Sequence, residues 1–140
     1  MTLINLLMLG SLFLLSTVIT SSITDETDIR EAIEQFVSGA DSQDASVIGK
    51  VLHAEAQQFF MGADGLVRLE TAAYLGLIEQ KKIGGKPRKL KIDNIDVNGN
   101  LASVNASMSN ESARFDNFIS LMKIEDEWKI MSIVLHMEMK

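Results

Sequence analysis

Two histidines and a run of six basic side chains are where this chain most readily suggests chemistry. His53 is followed by Glu55, and on an extended segment those two positions share a face. That is the minimal pairing in which a carboxylate orients an imidazole for proton transfer. The competing reading puts His53 at the end of a helix, where the helix dipole favours a cation. His136 falls on a terminal strand and reads as exposed. Two distant histidines do not make a metal site, and without cysteine there is no thiolate ligand, thiol nucleophile or disulfide. No metal and no cofactor are expected.

Lys81, Lys82, Lys86, Arg88, Lys89 and Lys91 place six of the thirteen basic residues in one loop and strand start. Such a cluster can meet an anionic lipid headgroup or a phosphorylated ligand, although a solvated, charged loop is the reading favoured here. Gly84-Gly-Lys86 is not a phosphate-binding loop, because Pro87 stands where Ser or Thr is required. Nucleophile-elbow, dinucleotide-binding, zinc-protease and calcium-loop signatures are all absent from the sequence. A net charge of −6 argues against nucleic acid as a partner.

The elements that must position these residues fit one domain: the chain has 140 residues, 46% hydrophobic and 23% charged. Its first 24 residues carry no charged side chain, and Leu3 to Ile19 is nearly continuous apolar sequence before Thr20-Ser-Ser22. Residues 1–22 therefore read as a secretory signal peptide, with 23–140 as the mature domain. The alternative is an uncleaved anchor, touching a membrane only through residues 3–19. Either way the domain is expected to be exported, in the periplasm or secreted.

From Thr27 or Asp28 the pattern turns helical, with Ile29, Ile33, Phe36, Val37 and Ala40 on one stripe. Asp28 with Glu31 resembles a capping box. Asp44 caps a second short helix in which Val47, Ile48, Val51 and Leu52 share a face. Gln57 to Met61 reads as a strand, turning at Asp64-Gly65 into Leu66 to Leu69. Thr71 caps a third helix with Tyr74, Leu75 and Ile78 on one side, ended by Gly84-Gly85 and Pro87.

The remainder reads as β. Lys89 to Val97 alternates and slips phase at Asp93-Asn94, a bulge, before the hairpin dipeptide Asn98-Gly99. Ala102, Val104, Ala106 and Met108 alternate with small polar residues. Two apolar runs around Glu125-Asp-Glu make a last long hairpin. The order α-α-β-β-α-β-β-β-β predicts an α+β fold, because the late connections are too short for crossovers.

That order resembles the nuclear transport factor 2-like superfamily, a cone of curved antiparallel sheet packed against three helices of the N-terminal half (a cystatin-like shape). Within it the chain is similar to the putative lumazine-binding branch. The residues that carry the likeness are Leu52-His-Ala-Glu-Ala56, Asp96-Val-Asn-Gly-Asn-Leu-Ala-Ser-Val104 and Phe118-Ile-Ser-Leu-Met-Lys-Ile-Glu-Asp-Glu-Trp-Lys-Ile-Met-Ser132. The resemblance spans about Asp28 to Met137. It implies a pocket between helices and concave sheet face, lined by Phe59, Phe60, Met61, Tyr74, Asn117, Phe118 and Trp128. The same residues fit a filled core equally well.

The family pattern places an Asp just before the aromatic of the fifth strand. Here Asn117 holds that place and Asp116 lies one residue earlier, and a one-residue shift on a strand reverses the face. Asp116, Tyr74 and His53 are the catalytic candidates, with Tyr74 polarising a carbonyl while Asp116 or His53 moves a proton. The expected function is an exported, non-catalytic domain that binds a small apolar or aromatic ligand, and forms a homodimer through one sheet face. The alternatives are a small isomerase- or dehydratase-type enzyme and a structural or partner-binding dimer.

Overall fold

The computed structural model describes residues 14–140, with side chains from residue 23 on. Three helices, α1 (Leu14–Asp41), α2 (Ala45–Val51) and α3 (Thr71–Glu79), pack against six strands. The strands are β1 (Leu52–Gly62), β2 (Gly65–Glu70), β3 (Lys89–Asn98), β4 (Leu101–Ser109), β5 (Ala113–Ile124) and β6 (Glu127–Met139). They form one curved, unclosed sheet in the order β2-β1-β6-β5-β4-β3. The element order is the one expected from the sequence. The sheet is not wholly antiparallel, however, because β1 and β6 pair in parallel. The segment through α3 carries the chain from one sheet edge to the other. The meander then returns β6 beside β1, in the direction of β1.

Burial on α1 follows the 3.6-residue period: Ile29, Ala32, Ile33, Phe36, Val37 and Ala40 are all buried. The helix begins earlier than the pattern suggested. It runs unbroken through residues 20–28, so Asp28 and Glu31 are exposed mid-helix residues rather than a capping box. Residues 1–13, which hold most of the apolar run expected to be a signal peptide or anchor, lie outside the described residues. Among the described residues, no helix is long and apolar enough to cross a membrane.

Asp44 caps α2 as expected, one carboxylate oxygen accepting the N–H groups of Ser46 at 3.1 Å and Val47 at 3.3 Å. Thr71 does not cap α3, where Glu70 takes the cap position without a side-chain bond. Pairing between β1 and β6 lapses from Leu52 to Gln57. Across that gap the Thr71 hydroxyl donates to the His53 carbonyl at 2.6 Å, with the Ala56 carbonyl at 3.2 Å. A buried carbonyl without a ladder partner needs a donor, and Thr71 supplies it.

Two bulges bend the sheet. In β3 the pairing steps from Ile92 to Asn94, leaving Asp93 as the extra residue, where the sequence shows its phase slip. In β6 the pairing steps from Ile130 to Ser132, which makes Met131 the extra residue. Its effect is to put Trp128 and Ile130 on the same face as Ile133 and Leu135, despite the odd spacing. The β3–β4 hairpin turns on Gly99 and Asn100, one residue later than the Asn-Gly reading, with Gly99 at φ +60° in the first central position.

Candidate functional site

The concave face holds a cavity of about 520 Å³, open to solvent on one side, between the sheet, α1, α3 and the loop that follows α3. Its walls are chiefly apolar: Phe36, Leu69, Leu77, Met108, Ile133 and Leu135 contribute, with Met137 and Met139 also lining it. A volume in this range, with mostly apolar walls, is the usual form of a small-ligand site.

Strand alternation decides which expected lining residues reach it. On β5, Phe115 and Asn117 line the cavity, while Asp116 and Phe118 lie on the opposite face. Phe118 is 67% exposed. On β1, Gln58 and Phe60 line the cavity, and Phe59 and Met61 do not. Trp128 is buried, yet it meets α1 instead, its indole N–H donating to Asp25 at 3.0 Å. Of the seven residues expected to line the pocket, Phe60, Tyr74 and Asn117 do so.

The three catalytic candidates do not converge. Tyr74 lines the cavity, stacked on Phe36 with ring centroids 5.8 Å apart. Burial pushes its hydroxyl up to about 12, with nearby Arg88 opposing and Asp41 adding to the shift. It therefore stays a neutral phenol at any physiological pH. Asp116 is bound by Arg114 on the outer face, at 2.8 and 3.0 Å to one carboxylate oxygen. That guanidinium holds the carboxyl below its ordinary range, so Asp116 is a poor general acid as well as a misplaced one. His53 is the second residue of β1 and lies directly after Leu52, the C-cap of α2; its Nδ1 accepts the Glu55 backbone N–H at 3.1 Å. It does not line the cavity. Asn117 is buried, its amide donating to the carbonyls of Phe115 at 3.1 Å and Ala106 at 3.4 Å.

The basic loop supplies what the aromatic list missed. Lys82, Lys86 and Arg88 all line the cavity. Arg88 is held by Asp41 at the C-terminus of α1, which accepts its backbone N–H at 2.8 Å and its Nε–H at 2.7 Å. The guanidinium lies over the Phe115 ring at 5.5 Å and points one N–H at the Met108 sulfur, 3.7 Å away. Its Nη2 is buried without a hydrogen-bond partner, as is Nε2 of Gln58. A basic residue immediately after the only proline was the available signal, but nothing in the sequence ties Arg88 to Asp41. Among the described residues no cluster of His, Asp and Glu could hold a metal ion.

With this geometry in view, the chain belongs to the family described as "Putative lumazine-binding", whose model matches residues 24–136. No curated protein matches. Among solved structures, the chain is similar to a nuclear transport factor 2-like protein of unknown function from Silicibacter pomeroyi, at TM-score 0.76 and 17% identity, covering 84% of this chain and 98% of that one. It also resembles a protein of unknown function with a cystatin-like fold from Nostoc punctiforme, at TM-score 0.65 and 13% identity over 82% and 92% of the two chains. The CaMKII hub of S. rosetta aligns at TM-score 0.64 and 13% identity over 80% and 95%. These likenesses establish the α+β nuclear transport factor 2-like fold.

Proposed function

We propose that the domain is an exported binding module that holds a small, largely apolar ligand in the concave cavity and performs no reaction on it. The observation that carries this reading is the cavity itself, about 520 Å³ of mostly apolar wall with a few inward polar groups. The family description, which names a small molecule as ligand, also favours binding. A non-catalytic role is supported by the scatter of the acid–base candidates, since only Tyr74 faces the cavity. Export rests on the charge-free apolar run from Leu3 to Ile19.

Native mass spectrometry of protein purified gently from its own host tests the binding reading. A retained small-molecule mass is the expected result. Turnover of a substrate that Tyr74→Phe abolishes would replace binding with catalysis.

A homodimer is a second, compatible reading, and one observation favours it. Phe59, Val134 and Phe118 stand in one register row across β1, β6 and β5, on the face away from the cavity. Val134 is 50% and Phe118 67% exposed. A contiguous apolar row on an open sheet face is a natural self-complementary contact.

A further inference from the structure

Resting on the binding reading above, we infer that the cavity takes an apolar organic acid, whose carboxylate docks against the Arg88 guanidinium, with Nη2 turning toward it, while its body lies along the aliphatic and methionine wall. Two buried groups already in place lead to it. Nη2 of Arg88 and Nε2 of Gln58 both lack a hydrogen-bond partner, and Gln58 is only 5% exposed. Both residues line the same cavity. Buried donors left unpaired are costly and uncommon in native structures, and both of these ask for an acceptor.

Charge narrows the choice of acceptor. Every charged residue lining the cavity among the described residues is cationic: Lys82, Lys86 and Arg88. The whole chain carries −6. Asp41 neutralises Arg88 formally, yet one of its oxygens is engaged by the Arg88 Nε and the other by the Arg88 backbone N–H. Lys82 and Lys86 are both exposed. Water could satisfy the two orphan donors, but water does not account for Lys82 and Lys86 at the rim, two lining cations that the Asp41–Arg88 pair leaves unbalanced in an acidic protein.

A carboxylate fits these groups better than the alternatives. It accepts in the plane of a guanidinium edge and presents two oxygens, enough for Nη2 and a second donor. A phosphate would bring a second charge and a third oxygen to a wall that is otherwise apolar. A neutral carbonyl would satisfy the donors and leave the lysines without a counter-charge. Residues 80–88 thus deliver the anion-reading groups, and the sheet delivers the apolar surface.

The test is calorimetric titration of the purified protein with naphthoate and with the neutral, isosteric naphthamide. Naphthoate is expected to bind at least about tenfold more tightly, the ratio set by roughly 1.4 kcal/mol. Arg88→Gln should erase that preference. The double variant Lys82→Gln/Lys86→Gln alters only exposed side chains, so folding is not at stake, and it should reduce the preference several-fold at low salt. If Arg88→Gln does not fold, the lysine variant decides alone. Equal binding of acid and amide would overturn the carboxylate inference and leave the cavity as a binding site. A preference unchanged in the variants would overturn it too, by placing the acid elsewhere. Binding of neither probe would overturn the inference together with the binding reading beneath it.

Discussion

Asp41 grips Arg88 at two points, accepting its backbone N–H at 2.8 Å and its Nε–H at 2.7 Å. The last residue of α1 thereby fixes the residue just before β3, and through it the end of the basic loop. Both side chains are 14% exposed. Breaking one partner leaves the other charge nearly buried. Arg88→Leu should therefore cost about 3 kcal/mol, while Asp41→Asn/Arg88→Leu should recover part of that loss. A double-mutant cycle by urea unfolding checks it, and additive costs would mean that the two residues act independently.

Gly84 makes the same loop's second attachment to α1. It adopts φ +76°, and a Cβ there would be driven into the Ala40 carbonyl oxygen, which also accepts the Gly85 N–H at 3.0 Å. Gly84→Ala should destabilise by about 2 kcal/mol or more, through positive φ and clash together. Thermal unfolding reads this directly, and Gly99→Ala is an informative companion: it has positive φ but open space around it, so it should cost less.

Asp25 ties the start of the packed part of α1 to the last hairpin, accepting from Lys123 at 2.8 Å and from the Trp128 indole at 3.0 Å. The Lys123 ammonium holds the Asp25 carboxyl below its ordinary value, burial opposes this, and the indole N–H assists. A carboxyl lowered on folding stabilises the protein above its unfolded pKa, and that stability is lost as pH falls through the folded value. Stability should thus decline below about pH 4, and Asp25→Asn should flatten the acid limb. Denaturation midpoints measured from neutral pH down to the acid limb would show it; an unchanged slope in Asp25→Asn would remove Asp25 from the account.

Asp116 pairs with Arg114 on the outer face, where both side chains are about half exposed. Asp116→Asn should change stability by no more than about 0.5 kcal/mol and leave any retained ligand in place. Loss of the ligand in native mass spectra would bring Asp116 back as a site residue.

Phe118 opposes Val134 on that same face. If the row they form with Phe59 is a self-contact, Phe118→Asp should convert a dimer to a monomer in light scattering while the far-ultraviolet spectrum stays native. A dimer surviving the substitution would place the contact elsewhere.

Much of the fold was legible because it is written in local periods. The stripe from Ile29 to Ala40, the Asp44 cap, the phase slip at Asp93 and the alternation from Ala102 to Met108 each depend on residues close in sequence. The candidate site was legible only in part. Phe60, Tyr74 and Asn117 line the cavity, whereas Phe59, Met61 and Phe118 were placed by type without their strand phase. On a strand, a neighbour one position away faces the opposite way, so residue type alone cannot choose between Phe59 and Phe60 or between Asp116 and Asn117.

Element order, the buried helical stripe and the charge imbalance are properties of the chain alone, because periodicity and composition need no partner. The parallel meeting of β1 with β6, the Met131 bulge that resets the inward face of β6, and the joining of Asp41 to Arg88 belong to the tertiary structure. The first and last join residues dozens of positions apart, and the bulge is set by how β6 pairs with β5, so no local pattern encodes any of them. That is why Arg88 reads as one more residue of a solvent-facing loop in sequence and is nearly buried in the folded molecule, while the lysines around it stay exposed as expected.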